Sequence, residues 1–240
     1  MLLIGHRGTR FDFDENTIES FEIALKSGAE FIEFDVRKLK DNNLIVFHDS
    51  SLLRTTRHIG LIKNLTYPEI KDLRTNKRKR SIPLLSEVFK ILKGKTKFLI
   101  DLKDEAIYKE VINLVLNYEL LNDCIFSGRN FNELKMIKNL FPKSKICYNI
   151  TKGKGLSLFE FFKLANNHKL VFKPDLISLK SDLIDSIFIQ VCHENEIMVL
   201  AWNFINYSNP LEKITTLIKM GVDGILFDNY RNILLVKELL

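Results

Sequence analysis

The sequence has few cysteines, no long charge-free apolar stretch and no low-complexity segment. Its three cysteines, Cys124, Cys147 and Cys192, are scattered and form no Cys-x-x-Cys pair, which excludes a disulfide framework and favours a reducing compartment. No stretch is apolar for long enough to span a bilayer, and the run from Met1 meets His6 too soon for a signal-peptide core. We therefore expect a cytoplasmic location and no transmembrane segment. Peripheral contact with a membrane and the oligomeric state stay open.

The composition is that of a folded chain with one locally basic segment. Of the 240 residues, 46% are hydrophobic and 28% charged, which excludes a disordered chain. The length suits an α/β barrel of about 200–250 residues, so we expect residues 1–240 to form a single domain. Residues 54–80 hold nine Lys and Arg against two Asp and Glu, whereas the whole chain carries a net charge of +6. This segment indicates either a nucleic-acid binder or a loop that faces phosphate.

Short β-rich apolar runs alternate with helical patterns along the chain. About eight such units of about 30 residues predict a parallel sheet closed into a (β/α)8 TIM barrel. A doubly wound open sheet is the alternative, but no GxGxxG or Walker motif follows a strand. The segment of about 50–82 breaks the rhythm and is predicted to be a small insertion after the second strand. The first helix is predicted over residues 16–27, with Asn16 as its N-cap and Glu19 completing a capping box.

Charged residues stand at the ends of otherwise apolar predicted strands. Glu33 and Asp35 are two residues apart in one strand, so they point to the same side. Asp101 and Lys103 are related in the same way in a later strand. In a TIM barrel the carboxyl ends of the strands form the active site. The residues that we expect to converge there are His6, Arg7, Glu33, Asp35, His48, Asp101 and Lys103.

These residue types suit metal-assisted phosphoryl transfer. Three converging carboxylates, Glu33, Asp35 and Asp101, would repel one another unless they bind a hard divalent cation, either Mg²⁺ or Ca²⁺. Histidines beside that site suit general acid–base catalysis, and an arginine or lysine would neutralise a bound anion. Solvated carboxylates and structural histidines are the ordinary alternatives. The coincidence of charges at one end of three strands favours the functional interpretation, because burying such groups unpaired is costly.

The same residues resemble the glycerophosphodiester phosphodiesterase family along essentially the whole chain. The matching motifs are His6-Arg7-Gly8, Glu15-Asn16-Thr17, Glu33-Phe34-Asp35, His48-Asp49, Arg54-Thr55-Thr56, Asp101-Leu102-Lys103, Trp202 and Gly221-Val222-Asp223-Gly224, closing at Asp228. Two positions depart from the family pattern. Asp101 stands where glutamate is usual and resembles the related sicariid-toxin phospholipases. Asp14 stands where a proline is usual, and we expect this change to affect only the loop.

The resemblance implies metal-dependent hydrolysis of a small glycerophosphodiester to sn-glycerol 3-phosphate and an alcohol. It assigns acid–base roles to His6 and His48, and it makes Glu15 and Trp202 candidates for the substrate pocket. Arg7 and Lys103 would bind the phosphate. Two rival functions are a phospholipase D-like enzyme acting on lysolipids and a non-catalytic barrel that binds phosphate or polyanions. We expect no nucleic-acid partner, and the sequence leaves the headgroup and the route, through water or a cyclic phosphate, undecided.

Overall fold

A computed structural model describes residues 1–151, 155–166, 169–170 and 172–239. Its strands are β1 (Leu2–Gly5), β2 (Phe31–Lys38), β3 (Leu44–Val46), β4 (Lys97–Leu102), β5 (Cys124–Gly128), β6 (Lys145–Asn149), β7 (Leu176–Lys180), β8 (Met198–Trp202) and β9 (Gly224–Phe227). Its α-helices are α1 (Ile18–Lys26), α2 (Leu53–Thr56), α3 (Tyr67–Ile70), α4 (Leu85–Leu92), α5 (Tyr108–Asn117), α6 (Phe131–Leu140), α7 (Leu158–Asn166), α8 (Ser186–Glu194), α9 (Pro210–Met220) and α10 (Tyr230–Lys237). None of the helices in these ranges has both the length and the apolarity that a bilayer crossing needs.

Eight parallel strands close into a barrel. Around it the order is β1, β9, β8, β7, β6, β5, β4 and β2, and β1 pairs with β2 to complete the ring. The predicted (β/α)8 TIM barrel is therefore confirmed, and the doubly wound open sheet is wrong. The remaining strand, β3, pairs antiparallel with β2 outside the ring and leads into the predicted insertion.

Alternation along β2 decides which side chains reach the interior of the barrel. Ile32 and Phe34 are fully buried in the large apolar layer between strands and helices. Glu33 and Asp35 therefore point the other way, into the barrel, as their spacing predicts. The lower part of the interior is filled by Ile4, Leu99, Ile125, Cys147, Leu176, Leu200 and Leu226. This apolar plug forms the floor beneath the charged residues at the strand ends.

The insertion has an apolar cluster of its own beside the barrel. Leu52, Ile62, Ile70 and Ile82 pack there with residues from the end of β2 and from β3. Asp14 ties this insertion to the loop between β1 and α1. Its carboxylate accepts hydrogen bonds from Thr75 Oγ1 at 2.8 Å and from two backbone amides, Lys77 N at 3.1 Å and Arg78 N at 2.7 Å. The expectation that Asp14 affects only its loop is thus wrong.

The start of α1 also differs from the prediction. Thr17 is the N-cap, and its capping box is completed by Ser20, not by Glu19. Asn16 has a left-handed backbone with φ of 58°, which turns its side chain away from the helix and towards the barrel. There Asn16 Nδ2 donates to Asp35 Oδ2 at 2.8 Å. A residue expected to cap a helix therefore supports a charged residue of the barrel interior.

Candidate active site

One central cavity at the carboxyl ends of the strands brings most of the predicted site residues together. β1 ends immediately before His6, and β2 and β4 carry the acidic residues into the same space. Asp35 and Asp101 are direct register partners on neighbouring strands. Of the residues predicted from the sequence, the cavity is lined by His6, Arg7, Glu33, Asp35, His48, Asp101, Lys103 and Trp202.

Glu33, Asp35 and Asp101 form a compact acidic cluster. One carboxylate oxygen of each lies within 4.8 Å of the others, and all three residues are buried. Burial and the charge of Asp35 raise the pKa of Glu33 well above its usual value. Burial also acts to raise the pKa of Asp35, but the cations Lys103 and Arg7 outweigh it and hold that pKa well below its usual range.

Two basic side chains neutralise part of this cluster. Lys103 Nζ lies 2.8 Å from Asp35 Oδ1 and also pairs with Asp101, while Arg7 Nε lies 3.1 Å from Asp35 Oδ2. Glu33 accepts a hydrogen bond from the backbone N–H of Arg7 at 2.8 Å. Burial opposes the charge of Lys103, yet the three carboxylates raise its pKa. Both cations are therefore held charged inside the cavity, where an anionic ligand would meet them.

The cluster fits a hard divalent cation. It offers three buried anionic oxygen donors, the ligand type that Mg²⁺ and Ca²⁺ prefer. Asp35 Oδ1 is buried without a hydrogen bond to any described residue, although Lys103 lies close to it. Burial and the neighbouring charge of Asp35 raise the pKa of Glu33, so the ionised cluster is disfavoured without further positive charge. A bound cation would supply that charge.

His6 is oriented by Asp228, which closes the matching motif pattern but was not among the predicted site residues. The two side chains meet at 2.8 Å between His6 Nδ1 and Asp228 Oδ1. Burial acts to raise the pKa of Asp228, but His6 and Arg10 outweigh it and lower that pKa. Because an ionised carboxylate only accepts, the Nδ1 atom of His6 carries the proton. His6 Nε2 is left as an acceptor, 3.9 Å from Glu33 Oε2.

Asp228 is itself held from two further sides. Arg10 Nη1 donates to its Oδ1 at 3.0 Å, and the backbone N–H of Phe204 donates to its Oδ2 at 2.8 Å. Burial is the main effect on His6 and lowers the pKa of the imidazole despite the opposing charge of Asp228. His6 is therefore suited to accept a proton near neutral pH.

His48 has a parallel arrangement at the other side of the cavity. Its Nδ1 lies 2.6 Å from Asp49 Oδ1, and Arg37 Nε donates to its backbone carbonyl at 2.8 Å. Burial lowers the pKa of His48, and the charge of Asp35 opposes this. The contact with Asp49 places the Nδ1–H on that side, so Nε2 is the atom free to exchange a proton with a ligand.

Glu15 does not line the cavity but lies behind Arg7. Its carboxylate contacts three arginines, with distances of 2.7 Å to Arg7 Nη1, 2.5 Å to Arg54 Nη2 and 3.3 Å to Arg10 Nε. Burial acts to raise the pKa of Glu15, but Arg7 and Arg54 outweigh it and lower the pKa to about 2. The geometry therefore gives Glu15 the position of an anchor for Arg7.

Trp202 ends β8 and forms one wall of the cavity. Its ring meets the His6 ring edge-on, with centroids 6.5 Å apart. Lys180 Nζ lies 5.8 Å from its ring centroid. The tryptophan thus presents an apolar face beside the imidazole.

Four neutral polar residues and one arginine that sequence reasoning missed complete the lining. Asn149 donates from Nδ2 to Asp101 Oδ1 at 3.1 Å, and its Oδ1 accepts from Ser127 Oγ at 3.0 Å and Ser178 Oγ at 2.5 Å. These residues lie near the ends of β5, β6 and β7, which is the signal that could have found them. The missed lining residues are Ser127, Arg129, Asn149, Thr151 and Ser178.

The basic segment 54–80 does not reach into the central cavity. Arg80 pairs with Glu19, at 2.5 Å between Nη2 and Oε1, and Lys77 Nζ donates to the backbone carbonyls of Arg10 and Phe13. The guanidinium carbon of Arg78 lies 4.0 Å from the centre of the Phe13 ring. Much of the charge run 77–80 therefore holds the β1–α1 loop instead of facing phosphate.

Comparison with known proteins agrees with this architecture. A family model described as the glycerophosphoryl diester phosphodiesterase family matches residues 6–231. A glycerophosphodiester phosphodiesterase of Caldanaerobacter subterraneus subsp. tengcongensis is 29% identical over 242 residues, covering 95% of this chain and 94% of that protein. A human lysophospholipase D is 30% identical over 142 residues, covering 53% of this chain and 45% of that protein.

Solved structures share the fold at lower identity. A phosphodiesterase of Oleispira antarctica, in complex with its product sn-glycerol-3-phosphate, superposes with a TM-score of 0.81 at 23% identity, covering 100% of this chain and 97% of that chain. A glycerophosphodiester phosphodiesterase of Thermotoga maritima gives a TM-score of 0.77 at 23% identity, covering 100% and 98%. With a family model that spans nearly the whole chain and a cavity built from the motifs of the resemblance, this chain belongs to the glycerophosphoryl diester phosphodiesterase family of enzymes.

Proposed function

We propose that this protein hydrolyses glycerophosphodiesters to sn-glycerol 3-phosphate and an alcohol in a metal-dependent reaction. The observation that carries the proposal is one cavity in which three carboxylates, two histidines and three basic side chains, Arg7, Lys103 and Arg129, converge. The complex of the Oleispira antarctica phosphodiesterase with sn-glycerol-3-phosphate supports the same product class here. We further propose that residues 1–240 act as one domain located in the cytoplasm.

In this proposal Glu33, Asp35 and Asp101 hold one divalent cation, either Mg²⁺ or Ca²⁺. The cation would supply positive charge that polarises the phosphodiester and offsets the repulsion among the carboxylates. Asn16 and Asn149 orient two of these carboxylates through hydrogen bonds of 2.8 Å and 3.1 Å. The side chain of Asp101 is shorter than that of the glutamate usual in the family. The hydrogen bond from Asn149 holds the Asp101 carboxylate in position.

The histidines divide the proton transfers. His6 Nε2 accepts the proton of the nucleophile, because Asp228 holds the other nitrogen in its protonated form. His48 Nε2 donates a proton to the leaving alkoxide. Burial lowers the pKa of His48 in the free protein. A phosphodiester anion bound beside it would raise that pKa, so that His48 is protonated when the substrate is bound.

Arg7 and Lys103 bind the phosphoryl oxygens and stabilise the charge that builds on them. Their positions are fixed before the substrate binds, because Glu15 holds Arg7 and the acidic cluster holds Lys103. Trp202 forms the apolar wall against which the glycerol carbons would pack. In this proposal Glu15 acts by positioning Arg7 and does not touch the substrate.

The test is an enzyme-coupled assay of glycerol 3-phosphate released from glycerophosphocholine. We expect turnover with Mg²⁺ or Ca²⁺, no turnover with chelator, and loss of turnover in His6→Ala and His48→Ala. His193→Ala is a matched control, because His193 also pairs with an aspartate, Asp223, but lies on α8 outside the cavity. Activity that persists in chelator or in both active-site variants contradicts the proposed mechanism.

A second candidate substrate class is the lysolipids, as in a phospholipase D-like reaction. One observation favours it: three aliphatic side chains of the insertion, Leu53, Ile59 and Leu61, are exposed. The discriminating measurement is the ratio of kcat/KM for lysophosphatidylcholine to that for glycerophosphocholine in the same coupled format. A ratio well above one assigns the protein to the lysolipid class, and a ratio well below one assigns it to the short diesters.

A further inference from the structure

The insertion begins with a hairpin that forms one rim of the active-site mouth. We call residues 50–62 the rim hairpin. Ser51 and Leu61 are bridge partners, and the pairing continues through Leu52 N to the Gly60 carbonyl and Ile62 N to the Ser50 carbonyl, both at 3.0 Å. Leu52 and Ile62 are buried in the insertion's apolar cluster. The base of the hairpin is therefore anchored, while residues 53–59 form its tip.

The tip exposes aliphatic side chains to solvent. Ile59 is 93% exposed, Leu53 is 57% exposed and Leu61, at the base, is 45% exposed. A single exposed aliphatic residue is ordinary on a protein surface, whereas several on one short hairpin mark an interaction surface. The cost of hydrating these three side chains would be recovered if the hairpin entered an apolar phase.

The charged residues within this segment are all cationic. Residues 50–64 contain no aspartate or glutamate. Arg57 and Lys63 are exposed and form no ion pair with any residue that the structure describes. Arg54 differs from them, because Asp49 and Glu15 occupy its guanidinium. The rim hairpin and Lys63 thus combine unpaired cations with exposed aliphatic groups.

The surface adjoins the catalytic cavity. Leu53 lies along a shallow groove that also contains His48 and Asp49. Leu61 and Lys63 lie along a second groove with Arg37 and Asp104. A partner that contacts the rim hairpin would therefore lie directly beside the mouth of the barrel.

We propose that the rim hairpin docks this protein onto an anionic phospholipid bilayer. Leu53, Ile59 and Leu61 would enter the boundary between headgroups and acyl chains, and Arg57 and Lys63 would contact lipid phosphates. Aliphatic residues flanked by cations are the chemistry of interfacial anchors. A single-stranded nucleic acid would need aromatic stacking platforms, and residues 50–62 contain no Phe, Tyr or Trp. Docking would turn the mouth towards a surface where phosphodiesters are concentrated.

The test is co-sedimentation of the full chain with vesicles, which needs no turnover and so is independent of the proposed activity. We expect binding to equimolar phosphatidylglycerol and phosphatidylcholine, weaker binding to phosphatidylcholine alone, and loss of binding at high salt. The double variant Arg57→Gln/Lys63→Gln should bind the anionic vesicles about fivefold more weakly per cation removed. Ile59→Ser should bind at least about tenfold more weakly and should hydrolyse soluble glycerophosphocholine as the parent does.

Matched controls separate the rim hairpin from general surface properties. Lys95→Gln/Lys219→Gln removes two exposed cations, one next to the start of β4 and one at the end of α9, so both lie at the end of the barrel opposite the mouth. Leu140→Ser removes an aliphatic side chain that is 60% exposed on α6. The proposal is overturned if the parent protein does not bind anionic vesicles, or if the controls weaken binding as much as the hairpin variants. Binding to homopolymeric RNA that the same hairpin variants abolish, without vesicle binding, would also overturn it.

Discussion

Arg54 lies 2.5 Å from Asp49, between Nε and Oδ2, and the same guanidinium contacts Glu15 through Nη2. Asp49 orients His48, and Glu15 orients Arg7. One arginine of the insertion therefore connects the supports of two residues on different parts of the barrel mouth. Arg54 is a positioning residue for both of them.

We predict that Arg54→Gln lowers kcat by about 10- to 100-fold, because His48 and Arg7 lose a shared support and small displacements of reacting groups are costly. Arg54→Lys should not rescue the activity, since an ammonium cannot bridge two carboxylates with the geometry of a guanidinium fork. Steady-state kinetics on glycerophosphocholine measures both effects. Arg57→Gln, three residues along, removes the same charge and is the control. Equal kcat values for Arg54→Gln and Arg57→Gln would show that the bridge does not matter.

We predict that Asp228→Asn lowers kcat by about 10²-fold or more. Asparagine offers one acceptor oxygen, whereas Asp228 accepts from His6 and Arg10 at one oxygen and from Phe204 N at the other. In the variant, the amide NH₂ group must therefore replace one of these two oxygens. It then faces either the backbone N–H of Phe204 or the imidazole of His6. In the second orientation His6 would have to carry its proton on Nε2 instead of Nδ1. The measurement is kcat, with thermal unfolding to verify the fold.

The control for Asp228→Asn is Asp223→Asn. Asp223 also pairs with a histidine, at 2.9 Å from His193 Nε2, but that pair lies on the outside of the barrel. If both variants lose the same amount of activity, the effect comes from general destabilisation and not from the orientation of His6.

The charged lining of the first strands could be predicted from the sequence, because the charged motifs there coincide with the two-residue alternation of a β-strand. Glu33 and Asp35 alternate with apolar residues, and His6 directly follows the first apolar run. Asp228 could not be assigned in this way, because its contact with His6 joins residues separated by 222 positions and depends on the closure of β1 onto β9. Asn149 was missed because an amide in a strand carries no charge signal.

We predict that Asp14→Ala lowers the free energy of unfolding by about 2–3 kcal/mol, because it leaves the hydroxyl of Thr75 and the amides of Lys77 and Arg78 without their acceptor. Asp12→Asn is the control, because asparagine tolerates the left-handed backbone of Asp12, with φ of 63°. Asp12 is exposed and pairs only on the surface, at 3.1 Å from Arg231 Nη2, so its loss should cost less than about 1 kcal/mol. Urea unfolding measures both values, and a difference close to zero would refute the role of Asp14.

Asp14 also shows where sequence reasoning reaches its limit. Compared with the family pattern, Asp14 replaces a proline in a loop. The residues adjacent to it in the sequence do not indicate its hydrogen-bond partners. Its three donors lie 61–64 positions along the chain, in the insertion. The sequence could identify the insertion by its broken rhythm and its charge. It could not show that this charge run is held against the β1–α1 loop.

We predict that a saturating divalent cation raises the unfolding temperature of the protein, because a ligand that binds only the folded state stabilises it by about 2.7 kcal/mol at a concentration of 100 Kd. Asp101→Asn should reduce this shift, whereas Glu119→Gln, which changes an exposed carboxylate paired with Lys93, should not. Thermal unfolding with Mg²⁺, Ca²⁺ and chelator is the measurement. The same shift in Asp101→Asn as in the parent would remove Asp101 from the cation site.

We predict that Glu15 stabilises the fold at neutral pH and that this contribution disappears in acid. Its pKa is about 2 in the folded protein against 4.5 as the ordinary value, so the folded state favours the ionised form. The contribution is complete above the unfolded pKa, falls as the pH drops from about 4.5 towards 2, and amounts to about 3 kcal/mol at neutral pH.

The measurement for Glu15 is the free energy of unfolding against pH for the parent and for Glu15→Gln. Their difference should be largest at pH 6–7 and should approach zero near pH 2, because protonation of the parent then removes the charge that the glutamine lacks. Glu22→Gln is the control, since Glu22 is exposed on α1 and forms no ion pair with a described residue. Its curve should parallel that of the parent. A Glu15→Gln curve that also runs parallel would mean that the three arginines do not depend on this carboxylate, and that Arg7 is held in the cavity by the acidic cluster alone.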